Sequence, residues 1–328
     1  MQKKNEICRE YVKRNPDYSR LKLARIIYSE NNLLFSNVEA VRSVLRVIAG
    51  KNGVSNKKSL LDKSMIEIED RTKTPYNLPK SEETTYTPYQ LKANKLLILS
   101  DIHIPYHSIQ ALTAVFDFAK KEKPDAILLN GDTLDFHGLS KFCKDPRKRH
   151  FADELADFKE FIQILKKTFP YAKLYFKLGN HEERYQHYLW MKAKELVGVE
   201  EFELEQIIQS RANGITVIGE KRIIKFYGLN IIHGHEFSTG FFSPVNVARG
   251  LYLRGKTSAI QGHSHQTSEH TEPDMNGKIT TTWSTGCLCE LHPDWQPINK
   301  WGHGFAIVDK TKEGFSVRNF RIMKGKIL

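Results

Sequence analysis

Five short clusters concentrate carboxylate, amide and imidazole side chains: Asp101-Ile102-His103, Gly131-Asp132, Gly179-Asn180-His181-Glu182, His233-Gly234-His235 and Gly262-His263-Ser264-His265. Each stands where an apolar run gives way to polar residues. Donors of these kinds, delivered together from the ends of β-strands, make a ligand set for metal ions, and the chemistry to expect of them is metal-assisted hydrolysis.

The elements that must position the clusters are legible as changes of hydrophobic period. Residues 96–99, 126–129 and 174–176 read as buried strands. Between them, Ile109, Leu112, Val115, Phe116 and Ala119, then Leu155, Phe158, Phe161, Ile162 and Leu165, repeat at helical spacing. A β-α-β-α-β order predicts parallel pairing through right-handed crossovers. After about residue 214 the pattern switches to short strands, at 215–218, 223–226, 229–232, 258–261, 280–284, 305–308 and 315–320. A two-sheet sandwich flanked by helices accommodates both halves.

In order and spacing, the clusters resemble the calcineurin-like metallophosphoesterase family, whose pattern runs D-x-H, GD-x-x-D, GNH-[DE], a His in an H-G-H context, and G-H-x-H. The resemblance covers residues from about 95 to 270 and implies an α/β class protein, a four-layer α/β/β/α sandwich. It implies two divalent metals, with manganese preferred and iron or zinc alternatives, roughly 3.5–4 Å apart, acidifying a bridging water and clamping the phosphate. Asp101, His103 and His265 would hold the first metal, Asn180, His233 and His263 the second, and Asp132 would bridge them. His181 would protonate the leaving oxygen or stabilise transition-state charge, with Asp135 orienting it. His235 is a candidate for contact with substrate. Spacing by two lets Asp101 and His103, or His263 and His265, face one point from a strand end, while Gly131, Gly179 and Gly262 would permit tight turns.

One departure bears on the substrate. Protein phosphatases of this family carry an Arg directly after the second Asp of the GD motif; here Phe136-His137 follows Asp135. His137 is a candidate phosphate contact in its place. The basic run at 141–150 could steer a polyanion, and Phe241, Phe242, Arg249, Tyr252 and Arg254 could stack bases and hold phosphates, or else pack the sandwich. Trp295, Trp301 and His303 have no role legible in sequence. Cys287 and Cys289, two apart, could share a neighbour or a metal, or be small buried residues near a strand end.

Residues 1–52 read as a helical, helix-turn-helix-like domain. Ile7, Tyr11 and Val12 mark a helix ending before Pro16, Ser19 caps a second, and Ser36-Asn37-Val38-Glu39 reads as a capping box opening a third. Arg42 and Arg46 face away from its apolar side and would contact DNA; a docking domain with a solvated charged face is the alternative. Residues 53–94, rich in Lys, Asn, Ser, Thr and Pro, read as a linker in which 65–68 could form an edge strand. Residues 95–328 form the catalytic domain.

The chain of 328 residues carries a net charge of +12 and is 40% hydrophobic, which suits a folded protein with acidic partners. No run has the length to cross a bilayer, the start lacks a signal-peptide pattern, and four cysteines are too few for a disulfide scaffold, so a cytoplasmic location is expected. The expected activity is a metal-dependent phosphodiesterase or nuclease acting on nucleotides or nucleic acid. A phosphomonoesterase is the enzymatic alternative. A DNA-binding scaffold with a vestigial metal fold is the other, and the complete ligand set argues against it.

Overall fold

The computed structural model describes residues 2–15, 18–60, 76, 78, 81–141, 150–219, 221–237 and 245–328. The 65–68 alternation, Phe241, Phe242 and most of the basic run at 141–150 lie outside them. The chain divides into two compact units, Met1–Thr85 and Tyr86–Leu328. Among the described residues no helix is long and apolar enough to cross a membrane.

The first unit packs α1 (Gln2–Arg14), α2 (Arg20–Glu30) and α3 (Val38–Ile48), with a short α4 (Val54–Ser59) after them. Its core gathers Cys8, Leu23, Ile27, Val41, Leu45 and Ile48, apolar positions of three amphipathic helices, with Phe35 from the connection between α2 and α3. Ser19 caps α2 as expected, accepting from Lys22 N at 3.2 Å. The expected capping box at Ser36 does not form. Asn37 is the cap of α3, its Oδ1 accepting from Ala40 N at 2.8 Å, so Glu39 falls one position too early to reach back. Glu39 turns instead to Arg42 at 2.6 Å and Arg46 at 3.4 Å.

The second unit holds two mixed sheets. Among the described residues one has seven strands in the order β13-β12-β11-β2-β3-β4-β5, the other six in the order β1-β6-β7-β8-β10-β9. The first comprises β2 (Lys95–Leu99), β3 (Ala126–Asn130), β4 (Lys173–Lys177), β5 (Ile215–Ile218), β11 (His303–Lys310), β12 (Phe315–Met323) and β13 (Lys326–Ile327). The second comprises β1 (Tyr89–Gln90), β6 (Ile224–Phe226), β7 (Leu229–Ile231), β8 (Ala259–Gln261), β9 (Ser268–Pro273) and β10 (Ile279–Ser284). β2 to β5 run parallel, as the β-α-β-α-β reading requires, and β11 closes against β2 antiparallel.

The near-continuous apolar runs of β2, β3 and β4 feed different cores from their alternate faces. Leu97, Leu99, Ile127, Leu129, Leu174 and Phe176 pack with α5 (Ile109–Glu122) and α6 (Phe151–Thr168). Leu96, Ile98, Leu128 and Tyr175 point the other way, against Phe226, Leu229, Ile231 and Ile260 of the second sheet. A strand covered on both faces reads as an unbroken apolar run for this reason. On the outer face of the second sheet, α9 (Val247–Gly255) packs over β8, β9 and β10. The layers are therefore helix, sheet, sheet, helix. Ile109, expected on the buried side of α5, is 73% exposed because it occupies the helix's first position, beside the Ser108 cap. The second unit also contains α7 (Glu183–Lys192) and α8 (Leu204–Ile207).

Candidate metal centre

All five clusters follow strand ends. Asp101 and His103 lie beyond β2, Asp132 beyond β3, Asn180 and His181 beyond β4, His233 and His235 beyond β7, and His263 and His265 beyond β8. The two sheets meet here by direct hydrogen bonding. The Asn130 side-chain amide donates to Ile232 O at 2.9 Å, and His233 Nδ1 lies 2.8 Å from Asn130 O.

The candidate ligands are not aimed by strand alternation. Asp101 (φ 56°), His103 (51°), Asp132 (50°), His263 (62°) and His265 (55°) all adopt the left-handed region. Such a conformation costs a non-glycine residue about 1–3 kcal/mol and survives only where the surroundings impose it. Here backbone bonds do so: Asp101 N to Gly131 O at 3.1 Å, His103 N to Asp132 O at 2.9 Å, and Gly302 N to His265 O at 2.8 Å. The glycines serve close approach more than turning. Gly131 has φ +85°, and a Cβ on it would run into the His233 ring. A Cβ on Gly262 would meet Asp101 Oδ2 at 2.6 Å, and one on Gly179 would overlap the Asp132 carboxylate, yet neither of these glycines needs positive φ.

Glu182, part of a motif but assigned no role from sequence, anchors two of these loops. Its fully buried carboxylate accepts from Asp132 N (3.0 Å), Thr133 N (2.8 Å), Leu134 N (3.0 Å) and Gly179 N (2.8 Å). It thereby ties the end of β3 to the end of β4.

The donors converge. His265 Nε2 is 3.2 Å from Asp101 Oδ1 and 3.3 Å from His103 Nε2. Asp132 Oδ2 is 3.2 Å from His233 Nε2, 3.8 Å from His181 Nε2 and 3.9 Å from His103 Nε2. Asn180 Oδ1 is 3.3 Å from His233 Nε2, and the His233 and His263 rings are 5.1 Å apart. Groups able to hold an ion form at His103–Asp132–His181 and at Asp132–His233–His263, with Asp132 common to both.

Behind the rings stand partners that set their tautomers. His103 Nδ1 donates to Asp135 Oδ2 at 2.9 Å and His233 Nδ1 to Asn130 O at 2.8 Å, so each leaves Nε2 turned to the shared space. Asp135 therefore serves two rings, because it also lies 3.3 Å from His181 Nδ1, whose nearest acceptor is Asp135 O at 2.8 Å. Arg184, to which the sequence motifs assign nothing, donates to Asp135 O at 2.8 Å and lies 3.0 Å from His181 Nε2.

Electrostatics suit a cation. Burial alone would raise the Asp101 and Asp132 carboxyls. The imidazoles outweigh it, chiefly His265 at Asp101 and His233 at Asp132, and hold Asp101 at about 2 and Asp132 well below the usual range. In return, against burial, Asp132 pushes His233 and Asp101 pushes His265 up to about 10. Burial and then the neighbouring His233 lower His263 to about 4, which keeps its ring neutral and able to donate a lone pair. Carboxylates this deeply buried require positive charge beside them, and divalent ions among the same donors meet that requirement. The donor set fits the group.

The donors open into a cavity of about 410 Å³ whose outer wall includes Tyr106, His137, Asp294, Trp295 and Trp301. His137, expected to contact phosphate, is thus at the cavity. His235 is not among the lining residues; its Nε2 is 3.1 Å from Glu183 Oε1, and its ring stands 5.3 Å from His233. Arg249 and Arg254, expected to touch substrate, lie on α9 against the outer face of the second sheet, and neither lines the cavity. Arg254 Nε donates to Gly250 O at 3.2 Å and its guanidinium covers Phe237, a packing role. Between the two His clusters the chain leaves the metal centre to form α9, which carries both arginines. His303 Nε2 lies 2.8 Å from Cys289 O.

The "Gene 54 protein" of Mycobacterium phage L5 is 26% identical over 185 residues, covering 53% of this chain and 70% of that protein. Among solved structures, Vps29 complexed with zinc from Entamoeba histolytica shows 13% identity and a TM-score of 0.38, covering 71% of this chain and 96% of that one. A dimetal phosphatase from Danio rerio shows 10% identity and a TM-score of 0.36, covering 72% and 98%. The model of the calcineurin-like phosphoesterase family matches residues 94–267, more than half of the sequence. With that match and this ligand geometry, the chain belongs to the calcineurin-like phosphoesterase family and is a metal-dependent phosphoesterase.

Proposed function

We propose that the chain hydrolyses phosphodiesters of nucleotides or nucleic acid. The observation that carries the two-ion centre beneath this reading is the position of Asp132. One carboxylate oxygen stands between the His233 and His103 nitrogens, at 3.2 and 3.9 Å, where it can be shared by two ions. Asp101, His103 and His265 would hold one ion, and Asn180, His233 and His263 the other. Manganese is the leading candidate, iron or zinc the alternatives, on a mixed carboxylate, amide and imidazole set. Two such ions, when bound, would supply a water made nucleophilic at neutral pH and would neutralise charge on the phosphoryl oxygens.

The protein's residues do the rest. His181, buried between Asp132 and Asp135, carries the proton for the departing oxygen. Burial and the nearby Arg184 lower its pKa, but Asp132 first and Asp135 next outweigh them and raise it above the ordinary imidazole value, the direction that favours an acid. His137 at the cavity wall contacts the phosphate. The diester preference draws on the aromatic wall: Trp295 is 70% exposed, its ring lies 5.5 Å from that of Trp301, and both flank the cavity, a surface on which a base can stack. The net charge of +12 suits a polyanionic partner. In the first unit, Arg42 and Arg46 are half-exposed on α3 and are proposed to meet DNA phosphates.

The test compares bis(p-nitrophenyl) phosphate with p-nitrophenyl phosphate in Mn²⁺ and in chelator, then extends to DNA, RNA, cyclic nucleotides and phosphopeptides. Metal-dependent turnover with diester preference is expected; a monoester preference overturns the substrate assignment. Asp132→Asn should abolish turnover, and full activity in that variant overturns the centre.

A further inference from the structure

Cys287 and Cys289 take no part in the centre described so far, yet the structure places one of them on it. Cys289 is 3% exposed and lines the metal cavity. Its Sγ and ring nitrogens of His103 and His265 all lie within 4.8 Å of one another, and Sγ is 3.9 Å from His265 Nδ1.

The thiol is held there by construction. Leu288 N donates to Asp101 O at 3.0 Å, Ser108 N to Leu288 O at 2.8 Å and Glu290 N to Tyr106 O at 2.8 Å. The segment is thus stitched along the same loop that carries Asp101 and His103. On its other side Cys287 N donates to Gly302 O at 3.0 Å, and Gly302 N to His265 O at 2.8 Å. Trp301 closes over the His265 ring at a centroid distance of 4.2 Å and screens that flank. Cys287 is absent from the cavity lining; its thiol lies 3.7 Å from Gly302 O and in hydrogen-bonding reach of His265 and the Cys289 thiol.

We infer that Cys289 supplies a thiolate ligand to the ion held by Asp101, His103 and His265, so that this position of the pair takes zinc or ferrous iron in preference to manganese. The inference rests on the two-ion centre proposed above. Thiolate is a soft donor that selects zinc and iron, whereas carboxylate and amide oxygen suit manganese. The second position, with Asp132, Asn180, His233 and His263, has no sulfur donor among the described residues, and the assignment of manganese is confined to it. The two positions therefore discriminate, and the loaded centre is heterobimetallic. Coordination breaks the S–H bond of Cys289: its proton passes to solvent, the sulfur lone pair binds the cation, and no electron is transferred.

Cobalt is the probe, because it substitutes for zinc and iron and reports its ligands in absorption. Full-length chain stripped with chelator is titrated with Co²⁺. The expected result is visible ligand-field bands together with a near-ultraviolet sulfur-to-cobalt charge-transfer band that saturates at one equivalent. The band is expected to be lost in Cys289→Ser, with the visible bands retained, and to persist in Cys287→Ser. Ligand-field bands in the wild type without charge transfer, or a band that survives Cys289→Ser, overturn the assignment while leaving the two-ion centre standing. No cobalt bound at all overturns both. The wild-type spectrum decides the matter even where a variant does not fold. Metal analysis of the protein grown in medium containing zinc, iron and manganese should find about one thiophilic ion per chain, and manganese at both positions contradicts the inference.

Discussion

Lys177 Nζ lies 2.8 Å from Glu236 Oε1, and the lysine side chain is wholly buried. Lys177 ends β4 in the seven-stranded sheet. Glu236 follows the His233 cluster of the other sheet and accepts from His233 N at 3.0 Å and Gly234 N at 2.6 Å. The pair is a strut between the sheets that sets the backbone of a candidate ligand. Burial would raise the Glu236 carboxyl, but Lys177 outweighs it and holds it at about 2. Its contribution to stability is therefore present above the ordinary value of 4.5 and lost as the pH falls from there towards 2. Lys177→Met strands a buried carboxylate and should cost about 3–5 kcal/mol in urea unfolding at neutral pH. Adding Glu236→Gln should recover part of it. An unchanged midpoint would show that the strut is dispensable.

His181→Asn removes the proposed acid while sparing the donors around it. The expected loss in kcat is about 10²–10⁴-fold for diesters with alkyl leaving groups. It should be much smaller for p-nitrophenyl esters, whose leaving group departs without protonation. Equal losses on both would assign His181 to charge stabilisation.

Glu154, 4% exposed, receives the Phe136 N–H just after Asp135. Burial first, and Asp135 among its neighbours, raise its carboxyl from 4.5 to about 8. The folded state thus holds a proton that the unfolded chain has released between those values. Stability should fall as the pH rises from 4.5 to about 8 and level off above. Glu154→Gln keeps an acceptor for Phe136 N and should flatten that decline, which denaturant unfolding across this range will measure. A slope identical to the wild type would place the protonation elsewhere.

Arg42 and Arg46 share Glu39, at 2.6 and 3.4 Å. DNA binding through this face requires both guanidiniums to exchange that carboxylate for phosphates. Replacing both by Ala in the full chain should weaken duplex binding and reduce the salt slope by about two, one for each phosphate that a guanidinium no longer neutralises. A mobility shift that ignores the substitution would move the interaction off α3.

The residue types of the centre and the order of the strands that present them are local properties, so both were legible in the chain. A carboxylate or imidazole is recognisable in isolation, and an apolar run such as residues 96–99 must be buried wherever it lies. Strands β9 and β13, and helix α9 between two clusters, were not legible: β9 is polar on both faces, and its hairpin ladder with β10, not an apolar pattern of its own, makes it a strand. The positions of Arg249 and Arg254 on the outer layer, the turn of Glu182 towards the amides of residues 132–134 and Cys289 beside His265 depend on segments distant in sequence being brought together. Composition set which donors the chain carries. Only closure of the sandwich, with left-handed backbone at Asp101, His103, Asp132, His263 and His265, decided which of them share a point in space, because a side chain's direction is set by backbone that long-range hydrogen bonds hold in place.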